Sequence, residues 1–307
     1  ADEKRKAAGV SLNVAGVTGQ VAKALNVSAK DVTVNDLAVN PATGRTFLAV
    51  TKGSGSDASP ALVKVDTTGT FSEVSLNDIG FSKVALPNAP ADKAIPSRRG
   101  PRNSRNDAIT DLAYVDGRVI VSGLAASNEG RMGSTIREID FPFVEADQGS
   151  RIEIFHGAHG RSEDHSAIRT FVPFNINGEP TLLAGYVCTP LVKFPLSSLK
   201  AGKKTVGTTV AELGNRNRPL DMIVYEKDGK DFLLLANSAR GVMKISTEDI
   251  ATNEGLSNKV SGTAGQTYDT IASLQGVVQL DKLNPTTAIV LIQTESGAMQ
   301  LKSVELP

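Results

Sequence analysis

All three histidines of this chain fall within one eleven-residue stretch, FHGAHGRSEDH (155–165), at His156, His159 and His165. Glu163 and Asp164 sit among them. Imidazoles and carboxylates at this density support three readings. The first is a metal site, with His156, His159 and His165 as nitrogen donors and Glu163 or Asp164 as an oxygen donor or as the partner that orients a ring. Three imidazoles favour zinc or copper over calcium or magnesium, which take oxygen ligands. The second is a histidine general base, and the third is a polar loop whose histidines are simply hydrogen-bonded. A continuous strand would send His156 and His159 to opposite faces. Gly157 and Gly160 permit a turn that brings them together. The spacing is not that of H-E-x-x-H on a helix, and no G-x-S-x-G elbow supplies a nucleophile.

Cys188 is the only cysteine, which excludes an internal disulfide and a cysteine-based zinc cluster. Its setting, GYVCTP, lacks the C-x-x-C-H spacing of c-type haem attachment, and apolar neighbours such as Val187 and Leu191 predict a buried structural thiol. Charged and amide side chains gather in two further stretches. RGPRNSRND carries Arg102, Arg105, Asn106 and Asp107, and GNRNRP carries Asn215, Arg216, Asn217 and Arg218. Guanidinium forks bind carboxylate or phosphate bidentately, so these residues, with Arg240, form a candidate site for a small anionic ligand. The alternative is a set of solvated loops that cap strand ends.

Composition narrows the partners. The 307 residues carry 33 basic and 33 acidic side chains, a formal net charge of zero, which gives no electrostatic case for nucleic acid or an anionic membrane. Aromatics are 5% and Trp is absent, which weakens a base-stacking platform. No apolar run approaches the roughly 20 residues of a membrane-spanning helix. The chain starts ADEKRKAAGV without an apolar signal region, and we expect the mature form of a periplasmic or extracellular protein.

These candidate residues are positioned by a repeat. VNDLAVNPATGRTFLAVTKG from Val34, ITDLAYVDGRVIVSGLAA from Ile109 and PLDMIVYEKDGKDFLLLANS from Pro219 share one plan. An apolar strand follows Asp36, Asp111 or Asp221, a glycine turn comes next at Gly44, Gly117 or Gly229, and a second apolar strand closes the unit. Weaker copies begin at Ile168 and Leu274. Third strands follow as ALVKVD, STIREID, PLVKFPL, GVMKIS and GAMQLKSVEL, and fourth strands as FSEVSL, SRIEIF, TTVAEL and TYDTIASL. Four antiparallel strands per copy make a propeller blade, so the expectation is an all-β chain, residues 1–307 forming a single β-propeller domain of five blades. Six blades is the alternative. The last copy lacks a fourth strand, which residues near the N-terminus, such as GVTGQVAKALNV, are expected to supply, closing the ring and removing a sheet edge. The stretch 77–107, rich in Pro, Arg and Asn, reads as an inserted loop. The recurring aspartates read as backbone-bonding residues rather than catalytic ones.

The Asp-Leu-Ala start, the Asp-Gly turn and the closing Val-Lys-Val strand resemble the YVTN/NHL/quinoprotein-like group of β-propellers. That resemblance implies a fold and no particular reaction. In such a ring the polar connections before blades two, three and four gather on one face, joined by Tyr186, Asn237, Arg240 and Glu295. The function expected first is an exported, non-catalytic binding or scaffold propeller that holds a partner protein or an anionic ligand there. The alternative is a zinc- or copper-dependent hydrolase or oxidoreductase with His156, His159 and His165 at the channel mouth.

Overall fold

Strand makes up 51% of the chain and helix 9%, and five antiparallel blades are arranged as a β-propeller, as the repeat requires. The computed structural model describes residues 10–97, 100–127, 130–188 and 190–307. The first hairpins of blades 2, 3 and 4 form where the sequence places an Asn or Asp before Gly. Asp116-Gly117, Asn177-Gly178 and Asp228-Gly229 all have φ between 49° and 89° at both residues. That backbone matches the strand twist and is tolerated by few other residue pairs.

The chain divides into two compact units. One comprises Ala1–Ile79, Leu220–Lys244 and Asp269–Pro307, the other Gly80–Pro219 and Ile245–Tyr268. The first holds blade 1 (Val32–Asn40, Arg45–Lys52, Ser59–Val65, Phe71–Glu73), most of blade 4 and blade 5 (Val277–Asn284, Thr287–Gln293, Met299–Glu305). The fourth strand of blade 5 comes from the N-terminal end, as expected, but from Asn13–Ala15, with Val14 opposite Leu301. The stretch proposed for that strand folds instead as the helix Val17–Leu25. Its Val17, Val21, Ala22 and Leu25 fall on one buried face and join Leu48, Val63 and Leu301 in the core, and Asn26 ends it in the left-handed conformation.

Two of the recurring aspartates, Asp111 and Asp221, tie strands of neighbouring blades, as does Asp281, while Asp36 accepts the N–H of the next residue, Leu37, at 2.8 Å. Asp221 accepts the N–H of Met222 at 2.8 Å and of Leu280 in blade 5 at 2.8 Å. Asp281 accepts from Lys282 at 2.6 Å and from Val39 in blade 1 at 2.6 Å. In the second unit Asp111 accepts from Leu112 and from Phe171 of blade 3, both at 2.7 Å. Replacing Asp111 by Ala leaves two backbone donors without their acceptor and is expected to cost about 2–3 kcal/mol in urea unfolding, whereas Asp111→Asn, which retains an acceptor, costs less.

The second unit holds blade 2 (Asp111–Val115, Arg118–Ala126, Met132–Asp140, Ser150–His156) and blade 3 (Ile168–Ile176, Glu179–Tyr186, Pro190–Pro195, Thr208–Leu213). Each is widened: Arg161–Glu163 and Lys204–Val206 flank Ser150–His156, and Thr263–Gly265 pairs with Thr208–Leu213. The insertion at 77–107 contains the short pair Ala94–Ile95 and Arg102–Asn103 and a 3-10 turn at Ser104–Asp107. It is anchored by Arg137, 1% exposed, whose guanidinium donates to the Pro87 carbonyl at 3.1 Å and to Thr135 Oγ1 at 3.0 Å.

Candidate functional site

The histidine stretch is the hairpin between the last two strands of blade 2. Ile154 pairs with Glu163 and His156 with Arg161. Side chains two apart share a face, so His156, Glu163 and Arg161 point the same way. The chain reverses through Gly157-Ala158-His159-Gly160, closed by the Gly160 N–H to the His156 carbonyl at 2.8 Å, with Gly160 at φ 65°. The glycine-broken turn thus stacks the two imidazoles, with ring centroids 3.9 Å apart and planes tilted by 35°.

Glu163 holds both rings. Its Oε2 lies 3.0 Å from His156 Nδ1 and its Oε1 2.7 Å from His159 Nδ1. Arg161 Nε donates to Oε1 at 3.2 Å and Ser166 Oγ to Oε2 at 3.1 Å. The side chain is 3% exposed. Burial by itself would raise its carboxyl, but the bonds from His156, His159 and Ser166 together outweigh it and bring it down to about 2. Burial lowers the His156 imidazole more than Glu163 raises it, so this ring is neutral at neutral pH. Its Nδ1–H must then face the carboxylate, which only accepts, and its Nε2 carries the lone pair. That nitrogen is buried and has no hydrogen-bond partner among the described residues. His159 is held in the same way but its side chain is 46% exposed.

A second carboxyl closes the cluster from blade 3. Glu212 is 1% exposed, and its Oε1 accepts the Ala158 N–H at 3.1 Å. Gly157 makes this approach possible, because a Cβ there would lie 2.8 Å from Glu212 Cγ. Glu212 Oε2 is buried without a partner among the described residues. Burial raises this carboxyl to about 7, against the opposing pull of the Ala158 and Gly157 N–H groups and the His159 charge. Glu163 is therefore ionised from mildly acidic pH upward, while Glu212 keeps its proton until pH approaches about 7.

His156, His159 and Glu163 each present one potential ligand atom, all within 4.8 Å of one another. His165 is not drawn into this group, which corrects the three-histidine expectation. It lies beyond the return strand, 60% exposed, with its Nδ1 3.6 Å from Asp164 Oδ1. The cause is geometric: the turn ends at Gly160, and His165 follows the strand instead of facing it.

The first arginine-rich loop is tied within itself and to Arg169 of blade 3. Asp107 is gripped by Arg102 at 2.8 Å and by Arg169 at 2.7 Å. Burial would raise Asp107, but these two guanidiniums outweigh it and hold it below the usual carboxylate range. Arg218 is near enough for the Arg169 charge to lower its guanidinium further, after burial, while Asp107 opposes this. Arg105 donates its backbone N–H to Asn103 at 3.0 Å, and exposed Asn106 lies in the same 3-10 turn. Asn217 is buried and bonds the Gly214 carbonyl at 2.6 Å, shaping the turn that exposes Asn215 and Arg216. Arg240 belongs to the first unit, its N–H on Asn237 Oδ1 at 3.2 Å. Tyr186 is buried rather than at a rim. Cys188 is half-buried, not fully buried, because its φ of 64° places it in a turn.

Sequence reasoning missed Glu212, Arg169 and Ser166. Glu212 had a signal: it is the lone acid in the apolar strand TTVAEL, and an acid on a strand buried on both faces calls for an explanation.

No protein-family model matches this chain, and no characterised protein matches it by sequence. Solved structures of similar fold include a thermostable family-43 glycoside hydrolase, at 8% identity over 90% of each chain with a TM-score of 0.46. A GH43 β-1,3-galactosidase with galactodeoxynojirimycin is similar at 7% identity over 89% of each chain, TM-score 0.45. A GH43_1 enzyme from Xanthomonas citri complexed with xylotriose shows 10% identity, covering 98% of this chain and 92% of that one, TM-score 0.41. Identities this low speak to fold alone. The fold resemblance drawn from the sequence is corrected: the five-bladed propeller stands, while the similar structures are GH43 hydrolases rather than YVTN/NHL/quinoprotein-like proteins. The expectation of a non-catalytic binding or scaffold propeller does not agree with these solved structures, which are named as glycoside hydrolases. Among the described residues no helix is long and apolar enough to cross a membrane.

Proposed function

We infer that this chain is a hydrolytic enzyme in which His159 and Glu212 move protons and Glu163 positions the imidazoles. One observation carries this reading. A buried carboxyl with an unpartnered oxygen, Glu212, is packed against the turn that bears an imidazole fixed by a second, ionised carboxylate. Hydrolysis needs a base for the attacking water and an acid for the leaving group. His159, with Nδ1 tied to Glu163 and its ring half-exposed, offers Nε2 as the base, the base-and-orienter arrangement that geometry rather than sequence order identifies. Glu212, raised to about 7, retains a proton to donate near neutral pH.

The test is a panel of chromogenic glycosides, carboxylic esters and phosphate esters assayed at pH 6 with the wild-type chain and Glu212→Gln. The reading expects turnover of at least one class, reduced by 10²-fold or more in the variant. Turnover of none, or equal turnover by both proteins, contradicts it.

A further inference from the structure

We propose that the His156, His159 and Glu163 cluster is a binding site for a single divalent transition-metal ion of the zinc or copper kind. The inference concerns the same cluster as the hydrolase reading and deepens it, while its evidence is separate. Three donors of metal-binding type converge, with one ligand atom from each within 4.8 Å of the others.

Hydrogen-bond accounting identifies the atoms. Glu163 accepts at both oxygens, so the Nδ1 of each imidazole carries hydrogen, and a neutral ring presents its lone pair at Nε2. The rings stack at 3.9 Å and hang from one carboxylate. His156 Nε2 is the decisive atom: its side chain is 4% exposed and the nitrogen has no partner among the described residues. A buried acceptor left unmatched is costly, and buried polar atoms in folded proteins nearly always have a partner. A Lewis acid at this atom, with the His159 ring stacked beside it, supplies one. Glu163 is then the carboxylate that fixes tautomer and ring plane, an arrangement typical of metal-bound histidine. Nitrogen donors select zinc or copper over magnesium or calcium. The half-exposed ring of His159 provides an entry path from solvent.

A bound ion would take the lone pair that His159 Nε2 otherwise offers as a base, and so would replace His159 in activating water, with Glu212 beside the turn. Glu212 is not one of the converging donors.

The experiment uses untagged full-length protein freed of metal with a chelator, then titrated with zinc chloride in a calorimeter at pH 7. The expected result is one saturable equivalent. His159→Asn, at the half-exposed position where folding is least threatened, abolishes uptake. Glu163→Gln, which retains one acceptor oxygen, weakens it 10- to 100-fold. Absence of saturable binding by the wild type, or binding unchanged in His159→Asn, overturns the proposal. The chromogenic panel is run alongside with and without chelator. Binding without hydrolysis contradicts only the hydrolase reading, and hydrolysis without binding contradicts only the metal site.

Discussion

Replacing Glu163 by Ala in the metal-free protein is expected to lower its unfolding free energy by about 3 kcal/mol at pH 7. The side chain is buried and accepts from four donors, His156, His159, Arg161 and Ser166. Removing it strands the His156 Nδ1–H in the interior and leaves the two imidazoles without the group that fixes them. The pH dependence gives this loss a second signature. The folded carboxyl sits at about 2, against an ordinary value of 4.5. A depressed carboxyl contributes stability that is present above its unfolded value and is lost as pH falls through the folded one. For Glu163 that window runs from about 4.5 down to about 2, and linkage puts its size at about 3 kcal/mol. Urea unfolding at pH 7 and pH 3 checks this. The gap between wild type and Glu163→Ala should narrow markedly at pH 3. A gap of constant size would mean that the carboxylate bonds are not its source.

Glu212→Gln should move stability and activity in opposite directions. The folded carboxyl is raised to about 7 from 4.5, so between those values the folded protein holds a proton that the unfolded chain has released. Stability from this group is fully present below about 4.5 and is lost as pH rises through about 7. The loss amounts to about 3 kcal/mol by linkage. Gln retains an acceptor for the Ala158 N–H and cannot ionise, so it removes the penalty. The variant should match the wild type within about 1 kcal/mol at pH 4.5 and exceed it by up to about 3 kcal/mol at pH 8. Hydrolysis should meanwhile fall by 10² to 10⁴, the usual contribution of a positioned acid. Such an exchange is expected where a strained group is retained for chemistry. A variant with unchanged unfolding curves at pH 8 would show that Glu212 ionises as an ordinary surface glutamate does.

How far the sequence carried the fold depends on which signals are local. The blade repeat was legible because Asp, apolar strand, turn and strand all lie within about twenty residues, and the Asn/Asp-Gly turns of three copies need a positive φ that few residue pairs tolerate. The backbone-bonding role of the aspartates followed from their recurrence. Helix Val17–Leu25 was missed because nine residues with Gly19 and β-branched Val17, Thr18 and Val21 make a poor helix alone. It forms because Val17, Val21 and Leu25 pack into the core of blades 1 and 5.

The site was half legible. His156, His159 and Glu163 are near in sequence, and Gly157 and Gly160 announced the turn that unites them. His165 shares the local density but not the direction, since only the strand register decides which way it points. Glu212 lies more than fifty residues from the turn it touches, and Arg169 more than sixty from Asp107. Such contacts depend on how blades 2 and 3 pack, which no short-range pattern encodes.

The account rests on two glutamates of one cluster whose carboxyls burial and hydrogen bonds push apart, Glu163 down and Glu212 up. Carboxyl ¹³C chemical shifts followed across pH 2 to 9, with Glu212 assigned by its absence in Glu212→Gln, measure this directly. The predicted result is a midpoint near 7 for Glu212 and one near 2 for Glu163. Midpoints of about 4.5 for both would contradict it.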